Sequence, residues 1–78
     1  MSEDVRRMLG ENVRRLRLAS GISQAKLAER MGVDRAYISG LEKGERNPTV
    51  LTVWHLSKAL KVAMREFFEE TAKSKRER

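Results

Sequence analysis

The chain has no cysteine, a single proline, a single histidine and only four aromatic residues: two Phe, one Tyr and one Trp. Without cysteine there is neither a disulfide staple nor a thiolate metal ligand. One histidine, no glycine-rich phosphate loop and no carboxylate pair facing an obvious cleft are too small an inventory for an enzyme, so neither catalysis, nor a cofactor, nor a metal is expected. His55, in the middle of a predicted helix, reads as a surface or interface residue. Long apolar runs are missing as well. Nothing approaches the roughly 20 residues of a membrane span or the apolar stretch of a signal peptide, and a cytoplasmic protein is expected. Strand signals are almost absent, because β-branched residues stand singly and apolar residues recur at helical spacing. The fold class read from this pattern is all-α.

What is abundant is charge. Of 78 residues, 17 are Lys or Arg and 11 are Asp or Glu, a formal net charge of +6 that favours a polyanionic partner. With 40% apolar residues the chain can close one small core, and a core of that size is commonly reinforced by oligomerisation. Residues 1–70 are read as one domain and 71–78 as a frayed basic tail of net +3, four bases less Glu77. One small domain uses all its residues, so no small-molecule ligand is implied.

Leu9, Val13 and Leu16 fall on one face of a first helix, with Arg6, Arg7, Arg14 and Arg15 on the other. Ser2 is its expected cap, Glu3 and Asp4 lie in the first turn, Gly10 weakens the middle and Gly21 ends it. Ser23 then caps a second helix over 24–31, with Ile22 and Leu27 as a hydrophobic staple. Gly32 ends that helix, and Asp34 caps a third over 35–43 with a second staple, Val33 with Ile38. Two short helices joined by about three residues that include glycine make a helix-turn-helix connection. Beyond Gly44, residues 45–48 form a loop shaped by Asn47-Pro48. Thr49 caps a fourth helix carrying Val50, Val53, Trp54, Leu56 and Leu60, and Val62, Met64, Phe67 and Phe68 lie on a short fifth.

The stretch Gly21 to Pro48, GISQAKLAERMGVDRAYISGLEKGERNP, resembles the Cro/CI-type (Xre) helix-turn-helix family. The resemblance rests on Ser23-Gln24, Leu27-Ala28, Gly32-Val33, Ile38-Ser39, Glu42 with Gly44, and Ala59-Leu60, with Val13 to Arg17 upstream. Within the family, Asp34-Arg35, Tyr37 to Gly40, Arg46-Asn47 and Phe67 to Glu69 look like the small controller proteins of restriction-modification systems. The resemblance implies a compact five-helix, lambda-repressor-like domain that binds double-stranded DNA, with RNA polymerase as a candidate partner. It further implies a structural ion pair between Arg17 and Glu42 that ties the first helix to the end of the third.

In such a domain the third helix enters the major groove, and Arg35, Ala36, Ser39 and Gly40 face base edges. Arg35 suits a bidentate contact to guanine; the alternatives are a solvated arginine or a phosphate contact. Ser23 and Gln24, at the start of the second helix, can hold a phosphate or serve simply as cap and first-turn residue. Tyr37, Lys43, Arg46 and Asn47 are candidates for the DNA backbone or minor groove, although the Tyr37 ring can equally pack on the second helix. Residues 23–46 hold five bases against four acids, only +1, so the case for DNA rests on the motif rather than on charge.

One short helix reads few base pairs, so a homodimer on a pseudo-palindromic operator is expected. The resemblance places the dimer contact near the C-terminus, where Met64, Phe67, Phe68 and Trp54 supply apolar anchors, unless they complete the core, as Trp54 is expected to do. Lys61 and Ala63 depart from the family's usual glycine and cap, which implies a left-handed lysine and an uncapped fifth helix. Two rivals share the fold: an antitoxin that binds a protein partner and autoregulates its operon, and a phage-type repressor. A membrane-surface helix over 67–78 is disfavoured by Glu66, Glu69 and Glu70.

Overall fold

The computed structural model describes residues 2–70, with side chains from Val5 onward. Four α-helices and one 3-10 turn follow one another: α1 (Ser2–Ala19), α2 (Gln24–Met31), α3 (Arg35–Glu42), α4 (Val50–Leu60) and the 3-10 turn Met64–Phe68. The all-α class holds, and the fifth helix is shortened to that turn. The side chains on which the capping roles expected of Ser2, Glu3 and Asp4 depend are not among those described, and the basic tail lies outside the described residues.

The core is the union of the predicted apolar stripes. Leu9, Val13 and Leu16 from α1 meet Leu27 and Ala28, Ile38 and Leu41, and Val53, Leu56 and Leu60, and Phe67 closes the cluster. Both staple residues Ile22 and Val33 pack against it. Gly10 has a positive role here rather than the weakening one expected. A Cβ at this position would strike the carbonyl oxygen of Leu41 and lie 2.9 Å from that of Glu42, so only glycine lets the backbones of α1 and α3 come this close.

The helix ends show which local signals operate. Ser23 accepts from the Lys26 amide at 3.0 Å, and Thr49 accepts from the Thr52 amide at 3.1 Å. Asp34 stands at the N-cap of α3 without a side-chain bond, because its backbone carbonyl takes the Tyr37 amide at 3.0 Å. Gly32 is left-handed at φ 72°, and its amide and that of Val33 return to the last carbonyls of α2. Lys61 is left-handed as well, at φ 60°, the one non-glycine residue with positive φ among those described. Ala63 offers no cap to the 3-10 turn; instead Glu66 reaches back to accept from the Ala63 amide at 3.3 Å.

A buried polar latch completes the fold. Asn12 is 0% exposed and donates from Nδ2 to the carbonyls of Phe67 at 2.9 Å and Glu69 at 2.7 Å. Its Oδ1 accepts from Arg15 Nε and Nη2 at 3.2 and 3.0 Å. Every polar atom of the buried amide group thus has a partner, and the end of the described chain is tied to the middle of α1.

Candidate nucleic-acid interface

α2 and α3 are joined by Gly32, Val33 and Asp34, and α3 shows one face outward. Arg35 and Ala36 are exposed, Ser39 is half-buried and Lys43, just past the helix, is exposed. Gly40 differs from expectation. It is buried, and Arg46 lies across it, with Nε only 2.8 Å from where a Cβ would stand. The position expected to face a base edge is therefore covered by an arginine, which the small glycine admits. The same guanidinium carbon sits 5.4 Å from the Tyr37 ring centroid, in cation–π range. Tyr37 is half-buried and packs against the core. Asn47 is exposed in the loop beside Arg46.

Behind this face lies the ion pair. Arg17 Nε donates to Glu42 Oε2 at 2.6 Å and Nη2 to Oε1 at 3.2 Å, with both side chains buried. Its remaining Nη1 donates to the Ile22 carbonyl at 2.9 Å, so one guanidinium holds both the end of α3 and the approach to α2. Gln24 extends the set. Its Nε2 donates to Glu42 Oε1 at 3.0 Å, and its Oε1 accepts from Arg35 Nη1 at 3.0 Å. Sequence reasoning placed Gln24 on phosphate or backbone and did not find this bridge.

The anchors expected for a dimer are redistributed. Phe67 is 0% exposed and Met64 packs against the core, with the Phe67 carbonyl held by Asn12 of α1. Trp54, expected to complete the core, is 44% exposed, with the Lys58 ammonium 4.9 Å from its ring centroid and His55 at its edge. Val50 is 78% exposed and Leu51 62%, one turn before Trp54 on the same side of α4. Phe68 stays outward at 44%.

These features define a helix-turn-helix protein, and residues 13–67 match the helix-turn-helix family. The chain belongs to that family. It is 43% identical to the control protein C.SmaI of Serratia marcescens, over 78% of this chain and 73% of that protein. It is also similar to the solved restriction-modification controller protein C.AhdI from Aeromonas hydrophila, with a TM-score of 0.77 and 40% identity over 81% of this chain and 91% of that one. A third relative, the controller protein C.Esp1396I, is solved as a tetramer in complex with its natural 35 base-pair operator, with a TM-score of 0.75 and 33% identity over 90% of this chain and 92% of that one. Among the described residues no helix is long and apolar enough to cross a membrane.

Proposed function

We propose that this chain is a sequence-specific, DNA-binding transcriptional regulator of the restriction-modification controller type, acting in the cytoplasm as a homodimer on a pseudo-palindromic operator. The observation that carries the reading is the outward face of α3, where Arg35 opens the helix and Ala36 and Ser39 follow on the same side. A helix is narrow enough for the major groove, and its N-terminal residues then reach base edges. Arg35 takes guanine, Ala36 a thymine methyl and Ser39 a hydrogen-bonding base edge. Ser23 with the first amides of α2, and Tyr37, Lys43, Arg46 and Asn47 around the rim, position the sugar-phosphate backbone. Arg46, braced on Tyr37 and Gly40, is the rim residue best held for this. The operator complex of the related controller protein supports the reading.

The dimer contact is assigned to Val50, Leu51, Trp54 and Phe68, the large apolar side chains left exposed toward the C-terminal half. Recruitment of RNA polymerase would follow from where the operator lies relative to its promoter.

Selection of bound duplexes from a random pool at about 0.15 M salt tests the proposal, since that ionic strength screens weak nonspecific contacts. A two-fold symmetric site with half-sites about one helical turn apart is expected. Arg35→Ala should flatten the preference at one base pair per half-site, a loss of about 1–3 kcal/mol of discrimination. A pool without enrichment would overturn the reading in favour of a module that works through a protein partner.

A further inference from the structure

We propose that Asn12 is a positioning residue for self-association: its amide, locked by Arg15, holds the chain on both sides of Phe68 and so presents that ring, already set, to a second copy of the protein. The inference rests on the assignment of Phe68 to the dimer contact.

An asparagine amide carries two N–H donors on one nitrogen, and here both are spent on the same short stretch of chain. Nδ2 of Asn12 donates to the Phe67 carbonyl at 2.9 Å and to the Glu69 carbonyl at 2.7 Å. Two oxygens that meet at one nitrogen stand closer than the roughly 6.6 Å that an extended chain puts between residues two apart, so the backbone is gathered around residue 68. The first bond accompanies core packing, since the Phe67 ring is buried. The second does not. Glu69 is exposed, follows the 3-10 turn with extended dihedrals of φ −82° and ψ 138°, and lies outside the core cluster.

Arg15 keeps that amide from turning over. One turn along α1 on the same face, its Nε and Nη2 donate to Asn12 Oδ1 at 3.2 and 3.0 Å. With donors against Oδ1, only Nδ2 is left to meet the two carbonyls. The same Nη2 reaches the Glu66 carbonyl at 3.4 Å and the Glu69 carboxylate at 3.8 Å. Asn12 and Arg15 thus grip residues 66, 67 and 69, and the residue between their holds is Phe68, its ring outward at 44% exposed. A five-residue 3-10 turn is a poor scaffold by itself, and Ala63 at its N-cap gives no side-chain bond. An apolar anchor on a loose turn loses chain and rotamer freedom when a partner seats on it. With its flanks fixed beforehand, that loss falls on folding instead of on association.

The quantity to measure is the dimer dissociation constant of the full chain, by sedimentation equilibrium, for Asn12→Ala alone and combined with loss of either of two anchors. Phe68→Ala removes the ring that the latch presents, and Leu51→Ala removes an exposed anchor on α4 that neither Asn12 nor Arg15 bonds. Asn12→Ala is expected to weaken the parent dimer about three- to tenfold, the scale of ordering one side chain at an interface. The same loss should appear in full beside Leu51→Ala and vanish beside Phe68→Ala, as it does for two residues acting through one contact. A general loosening of the fold would weaken the dimer alike in both backgrounds. That result, or an unchanged constant, overturns the positioning role and leaves the dimer assignment standing. A parent chain that does not dimerise, or a Phe68→Ala variant that dimerises as the parent does, removes the assignment of Phe68 and the proposal with it. Should the buried Asn12→Ala variant not fold, Arg15→Met decides the matter in the same cycle, because the half-exposed Arg15 can be removed without opening the core. The same pattern at smaller amplitude is expected, and equal losses in both backgrounds would overturn the proposal.

Discussion

Arg17 and Glu42 meet through two hydrogen bonds in a site closed to solvent, and the third donor of the guanidinium is spent on the Ile22 carbonyl. Such a pair is asymmetric in its consequences. Removing one member strands the other where water cannot reach it, which costs more than the pair contributes. Arg17→Ala should therefore destabilise the protein by about 3 kcal/mol, lowering the thermal midpoint by about 10 °C or more. Matching melting curves for variant and parent would dismiss that account. The pair was legible only through the family resemblance, since the two residues stand 25 positions apart. Asn12 was not. An asparagine in a helix reads as an exposed polar residue, and its partners lie 55 and 57 residues away, beyond any local pattern. Phe67 and Phe68 were inseparable for a related reason. Adjacent residues on a 3-10 turn point about 120° apart, so only one ring enters the core, and here it is Phe67, whose carbonyl Asn12 holds.

At the level of whole helices, local signals and tertiary packing agree at most boundaries and separate at instructive ones. Stripe spacing, caps and glycines mark α1 to α4 closely, since each acts within a few residues. Asp34 has the residue type of a cap but no side-chain capping bond, its carbonyl having taken the amide that the carboxylate would have bound. Gly10 is the clearest separation of propensity from packing. Helix propensity favours Gly→Ala by about 1 kcal/mol. The Leu41 carbonyl occupies the space a methyl would need, so Gly10→Ala should instead destabilise by about 1–3 kcal/mol as α1 and α3 are pushed apart. Denaturant unfolding measures the sign directly; a stabilised variant would mean the two helices separate at little cost. Because the residues proposed to face base edges ride on α3, the same displacement is expected to carry into DNA affinity. Lys61 makes the converse point, holding a left-handed turn where glycine is usual, as the departure from the family pattern implied.

For the molecule as a whole, the large exposed apolar residues of α4 lie toward the far end of the chain from α1. Val50, Leu51 and Trp54 share one side of that helix, the surface proposed above for the dimer contact. Leu51→Lys should yield a monomer in sedimentation at micromolar concentration, with helical content retained and affinity for the symmetric site reduced toward that of a single half-site. A dimer that persists would move the interface elsewhere. This surface was only half legible, because aromatic residues were expected to anchor the dimer and sequence spacing cannot tell which of them the core will claim. The Asn12 latch has one more consequence, and it concerns time rather than shape. Phe67 is the last residue of the core cluster, and the carbonyls that satisfy Asn12 belong to it and to Glu69. A chain emerging from its N-terminus can form α1, α2 and α3 early, yet it keeps a vacant pocket and an unanswered buried amide until those residues arrive. Helices α1 to α3 are therefore made well before the core cluster and the latch are complete, and the fold closes in one late step once Phe67 and Glu69 have arrived.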